Sequence, residues 1–102
     1  MVDLTFSGFD WDQGNIQKCK LHGVTLLEIE EVFAGDPLVG PDIHNSGTEE
    51  RFRVFGRNRA GRAIFLVFTF RDIEGQNIVR PISARYMHAK EVDLYDKLSP
   101  RA

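Results

Sequence analysis

The chain has 102 residues, of which 42% are apolar and 27% charged, so it is long enough for one domain with a hydrophobic core and too short for two. No apolar run approaches the roughly 20 residues of a bilayer-spanning helix, and the N-terminus lacks the features of a signal peptide, so the expected location is the cytoplasm. A single cysteine, Cys19, excludes an intramolecular disulfide and a cysteine-rich zinc site.

The overall net charge of −2 hides a strong asymmetry. Residues 51–90 hold eight arginines and one lysine against two carboxylates, a net charge of +7, and the remaining four cations face thirteen carboxylates, a net charge of −9. This distribution keeps nucleic acid open as a partner, because arginine suits bidentate recognition of phosphate. The alternative is that these arginines line the solvated face of a sheet.

The first third of the chain predicts an extended segment and a helix. Residues 2–9 alternate loosely between apolar and polar side chains, which predicts a first strand or an extended arm. Asp10, followed three residues later by Gln13, resembles a capping box and predicts a helix over about residues 11–22 that ends at Gly23.

A second helix follows immediately. Thr25 and Glu28 have the spacing of a capping box, and Val24 and Ile29 have the spacing of the accompanying hydrophobic staple. The Gly-Asp-Pro sequence at residues 35–37 ends this helix.

The rest of the chain is predicted to form strands and a last helix. The predicted strands are residues 38–39, 51–55, 63–70 and 77–84, with hairpin turns at residues 58–61 and 72–76. The strand at 63–70 is nearly continuous apolar and is expected to be central and covered on both faces. Residues 87–98 return to helical spacing. The predicted fold is therefore α+β, a single domain over residues 1–102 with an antiparallel meander sheet, two N-terminal helices and one C-terminal helix, in the order β-α-α-β-β-β-β-α.

The stretch from Arg80 to Lys90 is the most informative for function. It runs from a strand into a helix start and contains Arg85, Tyr86 and His88 between its two terminal cations. Arginines, an imidazole and helix N-terminal amides are what a phosphodiester site needs. A metal-independent ribonuclease uses the 2′-hydroxyl of the RNA as nucleophile, with His88 as acid or base, Arg85 on the phosphate, and Tyr86 or Lys90 assisting.

Strand parity limits this arrangement. Arg80 and Arg85 point to opposite faces unless a bulge near Pro81 breaks the alternation, so Arg85 is favoured over Arg80. Three further arginines around a predicted turn are candidate phosphate contacts, although charged residues are common in turns: Arg57, Arg59 and Arg62. A histidine in a first helical turn is also often merely solvated.

Neither a metal nor another cofactor is expected. The three histidines, His22, His44 and His88, are far apart and lack the spacing of a zinc site. The sequence also lacks a glycine-rich phosphate loop and a nucleophile elbow.

An ordered set of short motifs resembles the BrnT family of bacterial type II toxins. The matching pieces are Phe9-Asp10-Trp11-Asp12, His22-Gly23-Val24, Glu28–Phe33, Asp36-Pro37, Glu49–Phe52, Gly56-Arg57, Gly61-Arg62, Ile82–Arg85, Lys90-Glu91 and Tyr95. The resemblance implies a fold like that of the RelE toxins and a ribonuclease activity that halts translation. It also implies a ribbon-helix-helix antitoxin that represses the shared operon, so that DNA is reached only through the antitoxin. Many members continue Ser-Ala-Arg with a further cation, where this chain has Tyr86-Met87-His88.

Three functions remain open from the sequence. The leading hypothesis is a toxin that cleaves RNA, with Arg85 and His88 central and Arg57, Arg80 and Lys90 supporting. The second is a non-catalytic module whose basic face docks an acidic partner or antitoxin. The third is a degenerate relative that binds nucleic acid weakly.

Overall fold

The computed structural model describes residues 4–43 and 49–98. Its elements are the helices α1 (Gln13–Lys20), α2 (Leu26–Ala34) and α3 (Ala89–Leu98) and the strands β1 (Leu38–Pro41), β2 (Phe52–Arg57), β3 (Ala63–Ile73) and β4 (Gln76–Tyr86). The strands form one antiparallel sheet in the order β1-β2-β3-β4. The α+β meander predicted from the sequence is therefore confirmed. None of the helices in the described part is long and apolar enough to cross a membrane.

The segment before α1 is an extended arm and not a strand element. Within its described part it makes one isolated parallel bridge, between Phe9 and Val79 of β4. The Ser7 amide donates to the Asn77 carbonyl and the Asp10 amide to the Val79 carbonyl, each at 2.8 Å. The arm therefore covers one end of the outer edge of β4. Residues 2–3 of the predicted segment lie outside the described residues.

The capping box of α1 differs from the predicted one. Asp12, and not Asp10, precedes the helix, and its carboxylate accepts from the Asn15 amide at 3.2 Å while the Asn15 side-chain oxygen accepts from the Asp12 amide at 2.8 Å. Asn15 is buried, and its side-chain nitrogen donates to the carbonyls of Asp10 and Pro81. The buried amide thus fixes both the helix start and its position against β4, which explains why the Asp10–Gln13 prediction was wrong.

Helix α2 begins as predicted. The Thr25 hydroxyl accepts from the Glu28 amide at 3.1 Å, and the Glu28 carboxylate accepts from the Thr25 amide at 2.9 Å. Val24 and Ile29, on either side of this capping box, are both buried. The helix therefore docks on the sheet from its first turn.

The core lies between the sheet and the first two helices. Strand β2 alternates between buried and half-buried residues, so Phe52 and Val54 face the helices and pack with Phe33 and Phe68. On the opposite, open face of the sheet, α3 supplies the buried Tyr95. Phe65 on that face is only half-buried, so the expectation that β3 is covered on both faces holds only partly.

A register shift in β4 changes which side chains share a face. Val67 pairs with Ser83 and Phe68 pairs with Pro81, so one residue of β4, Ile82, is extra. Arg80 pairs with Thr69, and Arg85 pairs with Phe65, four residues away on β3. Residues four apart on one strand point the same way, so the bulge places Arg80 and Arg85 on the same face. The predicted break in alternation near Pro81 is confirmed.

The approach of α2 to β2 requires a glycine at position 56. A Cβ atom added to Gly56 would lie 2.8 Å from Cγ1 of Val32 and 3.2 Å from Cβ of Pro37. We therefore expect Gly56→Ala to lower the free energy of unfolding by about 1–3 kcal/mol, because overpacking forces the helix away from the sheet. Urea denaturation monitored by circular dichroism measures this change.

Gly40 in β1 provides the matched control, because an added Cβ there meets no atom within 4 Å. Gly40→Ala should change the free energy of unfolding by no more than about 0.5 kcal/mol. Equal stability of the two variants would contradict the proposed packing constraint.

Candidate nucleic-acid interface

Most of the arginines in the basic segment are neutralised by carboxylates from other parts of the chain. The ion pairs are Arg51–Glu49, Arg53–Asp42, Arg57–Asp96, Arg71–Glu49, Arg80 with Asp10 and Asp12, and Arg85–Glu91. The charge asymmetry of the sequence is therefore largely cancelled in space. The cations available to a phosphate are therefore those that have no such partner.

Arg80 holds the start of α1 to β4. Its guanidinium lies 3.2 Å from Asp10 Oδ2 and 2.9 Å from Asp12 Oδ2, and only 19% of its side chain is exposed. The hydrogen bond with Arg80 lowers the pKa of Asp12, and the same bond raises the pKa of Arg80. Because their β3 partners are four residues apart, Arg80 and Arg85 are separated by about 13 Å along the sheet.

Arg85 fixes the junction between β4 and α3. Its two terminal nitrogens donate to the two carboxylate oxygens of Glu91 at 2.7 and 2.8 Å, and its guanidinium lies over the Phe65 ring at 4.7 Å. Glu91 also accepts from the His88 amide at 2.9 Å. The hydrogen bonds from Arg85 and the His88 amide lower the pKa of Glu91 to about 2. Arg85 is therefore already bound to an anion within the chain.

Helix α3 begins at Ala89, two residues later than predicted. The Met87 amide donates to the Ala63 carbonyl at 3.0 Å, which prolongs the pairing with β3. His88 then precedes the helix, and Glu91 takes the third helical position. His88 and Lys90 are exposed, so both side chains are accessible at the start of α3.

Four residues form what we call the Tyr86 cluster: Glu28, Asn58, Arg62 and Tyr86. The Arg62 guanidinium lies 3.4 Å from the centroid of the Tyr86 ring. The Tyr86 hydroxyl donates to the Glu28 carboxylate at 2.9 Å, and the Asn58 side-chain nitrogen donates to the same carboxylate at 2.8 Å. The cluster thereby joins the end of β4, the first turn of α2 and the β2–β3 hairpin turn.

Glu28 and Tyr86 have opposite protonation preferences. Partial burial disfavours the charged form of Glu28, but the hydrogen bonds from Thr25, Tyr86 and Asn58 outweigh it, so the pKa of Glu28 is lowered. Burial, followed by the hydrogen bond and charge of Glu28, raises the pKa of Tyr86. At neutral pH the pair is therefore a carboxylate that accepts and a neutral phenol that donates.

The β2–β3 hairpin turn is fixed to α2 by its backbone. The Arg62 amide donates to the Asn58 side chain at 2.8 Å, and the Arg59 amide donates to Glu31 Oε1 at 3.1 Å. Gly61 adopts a φ of 93°, which a residue with a side chain rarely accepts. The turn therefore presents the exposed side chains of Arg59 and Arg62 from a rigid support.

The Arg57 side chain is occupied by contacts within the chain. It donates to Asp96 Oδ1 at 2.6 Å and to the Gly61 carbonyl at 2.7 Å, and it lies over the Tyr95 ring at 5.6 Å. It therefore connects the hairpin turn to α3. In the part of the chain that the structure describes, no carboxylate forms an ion pair with the three cations Arg59, Arg62 and Lys90.

The structure thus sorts the residues predicted from the sequence. Tyr86 and Arg62 are in direct contact, and the hairpin and the β4–α3 junction bring Arg57, Arg59, Arg85, His88 and Lys90 to the same end of the sheet. Arg80 lies further back along β4, beside the start of α1. Sequence reasoning missed the site partners Glu28, Asn58 and Glu91, although the position of Glu91 three residues after His88 is the spacing of an acid that caps a helix start.

No group of three or more metal-binding side chains occurs among residues 4–43 and 49–98. His44, one of the three histidines considered from the sequence, lies outside the described residues.

A family model described as "Ribonuclease toxin, BrnT, of type II toxin-antitoxin system" matches residues 11–91, which is most of the chain and includes the whole Tyr86 cluster. A search of curated proteins found no match.

The Arg85–Glu91 pair predicts a pH-dependent contribution to stability. Because the folded-state pKa of Glu91 is about 2, below its ordinary value of 4.5, the pair stabilises the fold fully above pH 4.5. This contribution is lost as the pH falls from 4.5 toward 2. We therefore expect Glu91→Gln to be less stable than the wild type at pH 7, with the difference shrinking across that window, as measured by urea denaturation at each pH.

Asp93→Asn is the control, because Asp93 is exposed two residues further along α3 and has no ion pair within the described chain. Its difference from the wild type should stay flat over the same range. A Glu91→Gln difference that does not change with pH would contradict the assigned role of the pair.

Proposed function

Because the chain belongs to the BrnT family of ribonuclease toxins of type II toxin-antitoxin systems, we propose that it cleaves RNA without a metal ion and thereby inhibits translation. In this reaction the 2′-oxygen of the RNA attacks the adjacent phosphorus, and the bond from phosphorus to the 5′-oxygen breaks. The products are a 2′,3′-cyclic phosphate and a free 5′-hydroxyl. The protein must accept one proton, donate another and stabilise the charge on the phosphate.

The observation that carries the proposal is the Arg62 guanidinium stacked on Tyr86. Stacking uses the face of the guanidinium and leaves its N–H edge for a phosphate, which it can bind in a bidentate manner. Arg59 on the same turn and Lys90 at the start of α3 add positive charge without a carboxylate partner among the described residues. These three cations are the phosphate contacts of the proposed site.

The proton transfers are assigned to two residues at the start of α3. His88 accepts the proton of the 2′-hydroxyl, and Lys90 donates a proton to the leaving 5′-oxygen. Both side chains are exposed, and the adjoining helix N-terminus favours an anion. The Arg85–Glu91 pair positions this turn by holding the His88 amide, so Arg85 acts here as a positioning residue.

Tyr86 and Glu28 support the phosphate contact. The hydroxyl bond to Glu28 holds the ring in place, and the raised pKa of Tyr86 keeps the ring neutral beneath Arg62. The ring is therefore a fixed platform for the guanidinium and does not supply a proton.

The family also implies an antitoxin partner. We propose that this partner is a ribbon-helix-helix protein that represses the shared operon, so that DNA is contacted only through the antitoxin. A purely electrostatic docking face is the weaker alternative, because six of the arginines already have carboxylate partners.

Cleavage of single-stranded RNA in EDTA, and of ribosome-bound mRNA in magnesium buffer, tests the reaction. The wild type should cut in EDTA and leave a 2′,3′-cyclic phosphate, and a 2′-deoxy residue at the cleavage position should abolish cutting. Arg62→Ala should lower kcat/KM by about 10²–10³, the size expected for a lost charge-stabilising donor. His88→Ala should lower kcat by about 10²–10⁴.

Lys97→Ala, which removes an exposed cation in the last turn of α3, is the control and should retain wild-type rates. Each variant is checked for folding by circular dichroism. Absence of cutting by the folded wild type, with and without ribosomes, would overturn the proposed activity.

The platform role of Tyr86 is tested by comparing two substitutions. Tyr86→Phe keeps the ring beneath Arg62 and removes only the hydroxyl bond, so kcat/KM should fall by less than about tenfold. Tyr86→Ala removes the ring and should approach the loss seen for Arg62→Ala. Equal, large losses in both variants would show that the hydroxyl takes part in the chemistry.

A further inference from the structure

A cationic pocket lies between α1 and the open face of the sheet, away from the Tyr86 cluster. It has a volume of about 280 Å³, and its charged lining consists of Lys18, Arg51, Arg71 and Arg80 against a single carboxylate, Glu49. None of the proposed reaction steps uses this pocket. Its lining has an excess of positive charge and therefore fits an anion.

Some of the cationic groups in the pocket lack a hydrogen-bond acceptor or an ion-pair partner. Glu49 binds Arg71 at 3.1 Å, but its other oxygen lies 3.8 Å from Arg51 Nε, too far for a hydrogen bond. That Nε atom is buried without an acceptor. Lys18 is exposed and has no ion pair in the described chain, whereas Arg80 is satisfied by its two aspartates outside the pocket. One carboxylate thus serves two guanidinium groups, and a lysine is left over.

Helix α1 connects this pocket to the Tyr86 cluster. Near its start the Asn15 side chain binds the Pro81 carbonyl, and just beyond its end the Gly23 carbonyl oxygen lies 3.3 Å from the Tyr86 hydroxyl oxygen. Lys20 lies on the same helix between the two sites.

We propose that Lys18, Arg51 and Arg71 bind a second backbone phosphate of the RNA strand, different from the phosphate held by Arg62. The inference rests on the proposed function, because it assigns a second contact to the same substrate. It predicts that a longer RNA binds more tightly than a short one through a contact that lies outside the reaction.

Binding of 2′-O-methyl RNA tests the pocket without cleavage, because this RNA lacks the nucleophile. Fluorescence anisotropy is measured with oligonucleotides of two and twelve nucleotides, for the wild type, Lys18→Ala and the control Lys97→Ala. For the longer RNA, Lys18→Ala should weaken binding about 3–10-fold and make the slope of log K against log salt shallower by about 0.7. The dinucleotide should bind the wild type and Lys18→Ala alike, and Lys97→Ala should match the wild type on both.

Lys18→Glu is a second variant at this exposed position and should weaken binding of the longer RNA further. If both Lys18 variants bind the longer RNA with the affinity and the salt slope of the wild type, the inference is overturned. Loss of binding to polyglutamate by Lys18→Ala, with RNA binding unchanged, would also overturn it and assign the pocket to an acidic protein.

The two proposals fail separately. A wild type that cuts no RNA but binds the 2′-O-methyl RNA in a Lys18-dependent manner would disprove the proposed activity and support the pocket. Arg62-dependent cleavage combined with Lys18-independent binding would support the activity and overturn the pocket.

Discussion

The geometry of the candidate site depends on the hydrogen bonds that the Glu28 carboxylate accepts. It accepts from the Thr25 amide, the Asn58 side chain and the Tyr86 hydroxyl, which belong to the start of α2, the hairpin turn and the end of β4. Partial burial disfavours the charged form of this carboxylate, and the three donors outweigh it and keep its pKa low. The start of α2 is therefore also the support on which Arg62 and Tyr86 are held.

Charge pairing decides where the molecule is positive. The basic segment supplies its arginines to carboxylates that lie before and after it in the chain, such as Asp10, Asp42 and Asp96. These pairs hold the arm, the sheet and α3 together. Among the described residues, the cations without a carboxylate partner include Arg59 and Arg62 at the hairpin turn, Lys90 at the start of α3 and Lys18 in α1. Neither the net charge of the whole chain nor the net charge of residues 51–90 reveals this distribution.

Local patterns in the sequence predicted most of the fold and only part of the site. The capping box at Thr25 and Glu28 and the bulge near Pro81 depend on neighbouring residues, and both were predictable. The start of α1 was not, because the buried Asn15 gains a partner 66 residues away, at the Pro81 carbonyl. The roles of Arg80, bound to acids 68 and 70 residues away, and of Arg85, bound across a strand–helix junction, likewise depend on tertiary contacts.

The two edges of the sheet bear on how the chain behaves at high concentration. The outer edge of β4 is covered in part by the N-terminal arm and the start of α1, and the outer strand on the other side, β1, has only four residues and ends in Pro41. A short edge with a proline offers few free N–H groups to a strand of another molecule. The sheet is thus poorly suited to edge-to-edge aggregation.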